Sequence, residues 1–130
     1  MSCEYVILGE PISYLNHKTL SLCFSIYQSS KELILECYRL TTQFPNEEKF
    51  AMIRQIRRAA LSVHLNIAEG CSRKSKAERT RYFEVARGSV IEIDAAVEIA
   101  HKLNYAASEK LQPLGDAIVK TFKLLSGMIG

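Results

Sequence analysis

The residue types that could do chemistry are present in this 130-residue chain, but they are scattered. Cys3, Cys23, Cys37 and Cys71 contain no C-x-x-C pair and no regular spacing, and His17, His64 and His101 are dispersed as well. Structural zinc needs clustered Cys and His ligands. No metal and no cofactor are therefore expected, and the cysteines read as free thiols in a reducing compartment. There is no Ser/His/Asp or Cys/His grouping and no glycine-rich phosphate loop. The paired E-x-x-H motifs of di-iron bundles are also missing. Glu69 and Glu92 could face each other as a carboxylate pair, and are as readily explained as partners for Arg57, Arg58 or Arg81. The expectation is a protein that is not an enzyme.

Charge is the more informative chemistry. The whole chain carries a formal +3, yet residues 44–88 alone hold ten basic and five acidic groups, and the flanking segments are each slightly acidic. The basic residues are Arg54, Arg57 and Arg58, followed by the run Arg73, Lys74, Lys76, Arg79 and Arg81 beside a tight turn. Such a run is either a solvated surface or an anion site, in which backbone amides at a helix N-terminus add to the side chains. Base-stacking aromatics are sparse near the turn, where Tyr82 and Phe83 are the only candidates, so RNA or DNA would be held there by its phosphates with little base specificity.

The elements that must position these residues are helical. Only three prolines and six glycines interrupt the chain, which favours long helices over frequent turns. Residues 1–17 show no sustained period and read as an irregular arm with a short extended piece at Tyr5–Leu8; residues 18–130 read as one bundle domain. A first helix begins between His17 and Ser25 and runs to about Gln43, with Ile26, Leu33, Cys37, Leu40 and Phe44 on one face. Pro45 ends it. Asn46 reads as the N-cap of a second helix with the seam Ile53, Ile56, Ala60, Val63 and Ile67, closed by Gly70 in a left-handed conformation.

Ser75 and Glu78 form a capping box for a third helix that runs to about Leu103, with Phe83, Ala86, Val90, Ile93, Val97 and Ala100 inward and Asn104 as its stop. Ser108 is expected to cap a fourth helix with the seam Leu111, Leu114, Ile118, Phe122, Leu125 and Ile129. Pro113 falls in its first turns, where early amides lack intrahelical partners. Four amphipathic helices with short connections bury their seams by folding back on one another. The predicted fold is all-α, an antiparallel up-down-up-down four-helix bundle.

Two helices carry more apolar surface than a lone bundle needs. Val85, Ala96, Ile99 and Leu103 lie roughly opposite the third helix's seam, and Leu61 and Leu65 lie away from the second's. Beside them runs a polar row of Gln55, Ser62 and Asn66 with Glu69 at its end. Gly88, followed by Ser89, sits inside a helix, where glycine costs about 1 kcal/mol against alanine and marks a close approach of another helix. The surplus predicts a neighbouring subunit over these helices, with Leu61, Leu65, Asn66, Val85, Gly88, Ser89 and Ile99 as interface candidates. No apolar run reaches the roughly 18–20 residues of a membrane span. The start does not read as a signal peptide, so the cytoplasm is the expected location.

The block Gln55-Ile56-Arg57-Arg58-Ala59-Ala60-Leu61-Ser62, then Asn66-Ile67-Ala68-Glu69-Gly70 and Arg73-Lys74-Ser75, resembles the bacterial four-helix bundle protein family. Its founding members are encoded in intervening sequences of 23S ribosomal RNA genes. Tyr38-Arg39-Leu40-Thr41, Phe44-Pro45, Ala86-Arg87-Gly88-Ser89 with Glu92, and Ala100-His101-Lys102-Leu103-Asn104-Tyr105 match as well, so the resemblance spans roughly residues 24–127. It implies a homopentameric ring. Some relatives are accessory proteins of diversity-generating retroelements, basic pentamers that bind nucleic acid and a reverse transcriptase. Most of the family has no assigned activity. The chain departs from the pattern at His64-Leu65, where a Pro-Ser pair and its helix kink are usual, at Arg87, where the residue is usually apolar, and in the arm.

Two functional classes follow. One is an oligomeric bundle whose basic turn contacts nucleic-acid phosphates. The other is a protein-interaction adaptor that uses the second apolar stripe and binds no nucleic acid.

Overall fold

The structure is a computed structural model that describes residues 6–7, 10–11 and 23–130. Two short strands, β1 (Val6–Ile7) and β2 (Glu10–Pro11), pair antiparallel, Val6 opposite Pro11 and Ile7 opposite Glu10. β1 coincides with the expected extended piece. The rest of the arm lies outside the described residues. Four helices follow: α1 (Phe24–Thr41), α2 (Met52–Ser72), α3 (Lys76–Lys102) and α4 (Ser108–Ile129), with a short 3-10 helix at Asn46–Glu48 before α2.

α1 packs on α2 and α4, and α3 packs on α2 and α4. Cross-helix contacts run in opposite directions along each pair: Ser30 meets His64 and Thr41 meets Arg57, while Ser62 meets Ser89 and Gln55 meets Glu92. This is the antiparallel up-down-up-down bundle the periodicity predicts.

The seams of all four helices form the core. Leu33, Cys37, Ile56, Ala60, Val63, Ile67, Phe83, Val90 and Ile93 are almost wholly removed from solvent. Their three- and four-residue spacing makes one face of each helix apolar, and burial of those faces drives the assembly of the bundle. α4 buries Leu114, Ile118 and Leu125 of its expected seam, with Leu111 and Ile129 packed partly against the core, and departs at one position. Thr121 is fully buried and Phe122 is 38% exposed. The reason is polar: Thr121 Oγ1 lies 2.7 Å from Ser29 Oγ, so two small hydroxyl residues satisfy each other where α1 and α4 meet. Phe122 is displaced to the rim, where the Arg87 guanidinium lies 5.9 Å from its ring centroid.

The helix ends follow local chemistry, with three departures from expectation. Ser75 Oγ accepts from the Glu78 amide at 3.1 Å and donates to the Glu78 carboxylate at 3.2 Å, as a capping box should. Asn104 adopts φ 63° and stops α3. Asn46 caps nothing with its side chain; it opens the 3-10 helix, and the Glu48 carboxylate accepts from the Met52 amide instead. Nor does Ser108 cap α4, whose preceding residue is Ala107. Pro113 is the sixth residue of α4, beyond the four free amides, so it removes one intrahelical bond, to the carbonyl of the exposed Glu109.

Gly70 is the third departure. It does not end α2 in a left-handed turn but lies inside the helix, buried against Phe83. α2 runs unbroken through His64-Leu65. At one end of the bundle the Tyr105 hydroxyl donates to Glu48 at 2.6 Å, and Phe44 packs on Tyr105 with centroids 5.4 Å apart. These contacts clasp the α1–α2 connection to the α3–α4 connection.

The cysteines depart most from expectation. Cys23, just before α1, and Cys71, near the end of α2, form a disulfide with their Cα atoms 5.9 Å apart. Antiparallel packing brings the start of α1 beside the end of α2, a juxtaposition hidden by a sequence separation of 48. Such a bond persists in oxidising compartments and is reduced in a reducing one. Cys37 is free and buried; burial first, and the neighbouring Glu36 charge second, push its thiol up to about 12.

Candidate interaction surfaces

The basic residues separate into two groups. Arg54, Arg57 and Arg58 lie in the first half of α2. Arg73, Lys74, Lys76, Arg79 and Arg81 surround the α2–α3 turn. Fifteen residues of helix rise separate Arg58 from Arg73, about 22 Å, so the structure does not gather the eight candidates into one site.

At the turn, two arginines hold the fold. One amino group of Arg73 donates to Glu69 at 2.6 Å and to the Tyr82 hydroxyl at 3.1 Å. The bond to Glu69 is the main reason its already high pKa rises further. Arg79 donates to the carbonyls of Lys74 at 2.6 Å and Arg73 at 3.2 Å, tying the extended link to the first turn of α3. Lys74, Lys76 and Arg81 project from this braced turn as exposed cations with no salt bridge among the described residues. Arg81 lies 5.8 Å from the Tyr82 ring centroid.

On α2, Arg57 is also fixed. Its Nε donates to Thr41 Oγ1 at 2.8 Å, and its guanidinium lies 4.4 Å from the Tyr38 ring centroid. Arg54 and Arg58 are exposed. They border a cleft between α1 and α2 that Lys49, Phe50 and Tyr38 complete. These three residues were not among the sequence candidates. The one sequence signal for them is that Lys49-Phe50 falls outside the seam that starts at Ile53.

The interface candidates divide as well. Leu61, Leu65, Val85 and Ile99 are each about half exposed on the outer surface of α2 and α3, and Leu103 likewise. Gly88 is exposed, and a Cβ built on it would meet nothing within 4 Å. The close helix approach expected there is therefore not supplied by the described residues. Asn66 and Ser89 are engaged internally: Ser62 and Ser89 hydroxyls lie 3.0 Å apart, and Asn66 Nδ2 donates to the Ser62 carbonyl at 2.9 Å. With the Gln55–Glu92 bond, the polar row joins α2 to α3.

Glu69 and Glu92 are not a pair. Glu69 holds Arg73 and Glu92 holds Gln55, two α2 positions about 21 Å apart along the helix. Arg87, in place of an apolar residue, turns to α4 and donates to Ser126 Oγ at 3.2 Å. Among the described residues, no group of three or more His, Cys, Asp or Glu side chains is placed to hold a metal ion, and no helix is long and apolar enough to cross a membrane.

The class these features define is a compact four-helix bundle with half-exposed apolar side chains on α2 and α3. The chain belongs to the 23S rRNA-intervening sequence protein family, whose model matches residues 24–127. It is similar in fold to a solved protein of unknown function from the S23 ribosomal protein family of Bacteroides thetaiotaomicron. That likeness has a TM-score of 0.73 at 24% identity, covering 81% of this chain and 95% of the other. No curated protein matches the chain.

Proposed function

We propose that this protein is a non-enzymatic assembly protein of the cytoplasm, where the Cys23–Cys71 pair is held as thiols. Its subunits meet through the α2–α3 outer face as a homopentamer, and its braced basic turn contacts RNA or DNA phosphates. The observation that carries this reading is the α2–α3 face itself. Four large apolar side chains of α2 and α3 stand half in water, and α3 carries an exposed glycine at Gly88 whose Cβ position no described residue approaches. Exposed apolar groups on this scale mark contact surfaces, and a neighbouring helix would account for Gly88. The pentameric state is the one the family resemblance implies.

Support for the phosphate contact is the trio Lys74, Lys76 and Arg81, beside the first amides of α3. Repetition around a ring would concentrate their field. The binding is expected to be indifferent to sequence and to fall steeply with salt as counterions are released. The test is light scattering of nuclease-treated protein, alongside binding to RNA and DNA across a salt series. A pentamer whose binding is lost in Lys74→Glu/Lys76→Glu/Arg81→Glu supports the reading; a pentamer whose binding is unchanged in that variant removes the turn from it.

A second reading, an adaptor for another protein, is favoured by the largely apolar groove between α3 and α4, lined by Val90, Ile91, Ile118, Val119 and Phe122 with Asp94 and Lys123. Recovery of a stoichiometric protein partner after nuclease treatment, with no nucleic-acid binding at low salt, would select it.

A further inference from the structure

We propose that the cleft between α1 and the start of α2 is a stacking site for single-stranded nucleic acid. Unpaired bases lie against Phe50 and Tyr38, and Lys49, Arg54 and Arg58 meet the strand's phosphates. This deepens the nucleic-acid part of the function proposed above and rests on it, but it uses a different set of residues from the basic turn.

The cleft has a volume of about 370 Å³, the scale of a small-molecule site. Its lining combines two aromatics and the aliphatic Ile53 and Leu61 with Lys49, Arg54, Arg57 and Arg58, and contains no carboxylate. Phe50 is 76% exposed in the turn between the 3-10 helix and α2. A benzyl ring left that far in water has no role in the core. The Lys49 ammonium lies 5.5 Å from its centroid. Tyr38 is also exposed, and Arg57 braces it from α2 through the ring contact and through a bond to the Tyr38 carbonyl at 3.4 Å. Arg57 is thus a positioning residue, whereas Lys49, Arg54 and Arg58 are left to meet a ligand.

The chemistry asks for a ligand that is flat and apolar on one side and anionic along its length. An acidic peptide would answer the cations and leave Phe50 in water. A duplex would present phosphates and keep its base faces stacked inside. A single strand offers both at each nucleotide, and stacking on aromatics tolerates any base. Arg54 and Arg58 stand one helical turn apart, about 6 Å, on the same side of α2, so they can follow a strand's backbone. The basic turn offers no such platform. Tyr82 there is half-buried, with its hydroxyl bonded to Arg73 and both Arg73 and Arg81 near its ring.

The test is fluorescence anisotropy with labelled oligothymidylate and with a duplex of equal length. The proteins are the intact chain, Phe50→Ala and the Lys74→Glu/Lys76→Glu/Arg81→Glu variant. Phe50 supports no core packing, so its replacement leaves the fold intact. Phe50→Ala is expected to weaken oligothymidylate binding roughly tenfold or more and to leave the duplex unaffected. The chain has no tryptophan, so Phe50→Trp supplies a single indole reporter. Its emission should change on adding oligothymidylate and not on adding polyglutamate.

Unchanged oligothymidylate binding in Phe50→Ala, with loss in the turn variant, would overturn the cleft and leave the turn standing. An equal indole response to polyglutamate would also overturn it, in favour of an acidic protein segment. Binding that survives in the turn variant and is lost in Phe50→Ala would uphold the cleft and remove the turn. No binding by any form would overturn both.

Discussion

The ring of Phe83 occupies the space a side chain at Gly70 would need. A Cβ built on Gly70 would lie 2.6 Å from Phe83 Cε1 and 2.9 Å from Cδ1, and Phe83 is almost fully buried. Gly70 therefore serves packing between α2 and α3 and not a helix stop. Alanine would gain about 1 kcal/mol of helix propensity, but overpacking a tight core costs about 1–3 kcal/mol. Gly70→Ala is expected to lower stability by roughly 1 kcal/mol on balance. In a Phe83→Leu background the same change should be neutral or stabilising. Urea unfolding of the four proteins measures this; an equal loss in both backgrounds would show that the ring is not the obstacle.

The Cys23–Cys71 bond should dominate the difference between oxidised and reduced protein. Closing its loop restricts the unfolded chain by about 4 kcal/mol on the chain-entropy account. Reduction, or Cys23→Ser, is expected to lower the melting temperature by roughly 15 °C. Cys37 should resist alkylation in the native protein, because its buried thiol ionises only near 12, and should react on unfolding. Peptide mapping by mass spectrometry before and after denaturation reads both outcomes.

His64 should make stability depend on pH. Burial, and then the charge of Lys31, lower its pKa from 6.5 to about 4. Ser30 donates to the Tyr27 carbonyl at 2.9 Å, so its oxygen is left to accept from His64 Nδ1 at 2.7 Å. Above about pH 6.5 both folded and unfolded chains hold a neutral ring and the contribution is complete. Between about 6.5 and 4 only the unfolded chain takes the proton, so stability falls as pH falls. His64 keeps some contact with water, which limits the loss at pH 5 to about 1–2 kcal/mol. His64→Gln should lose that amount less than the natural protein when unfolding at pH 7.5 and pH 5 is compared. An identical pH dependence would place the ring's pKa near its ordinary value.

Much of the bundle was legible because burial repeats with the helical period. Leu33, Ile56, Phe83 and Leu114 announce their faces through neighbours three and four positions away, and Ser75 with Glu78 announces a helix start within four residues. What was hidden depends on contacts across space. The Cys23–Cys71 bond exists only once α1 and α2 lie antiparallel. The packing of Gly70 against Phe83, and the burial of Thr121 against Ser29 while Phe122 stands partly exposed, are likewise set across space. The candidate surfaces were half legible for the same reason. The exposure of Leu61, Leu65, Val85 and Ile99 follows from helical angle. That Arg57, Arg73 and Arg79 are occupied in holding neighbours, and that Phe50 and Tyr38 meet the remaining arginines across a cleft, does not.

Assembly through the α2–α3 face is the centre of this account, and Leu65→Glu combined with Val85→Glu tests it most directly. Both side chains are half exposed, so the helices should form as before, with unchanged circular dichroism. Light scattering should then give a mass several times that of one chain for the natural protein and the mass of a single chain for the variant. A natural protein that is already a single chain, or a variant that keeps the full assembled mass, would contradict the account.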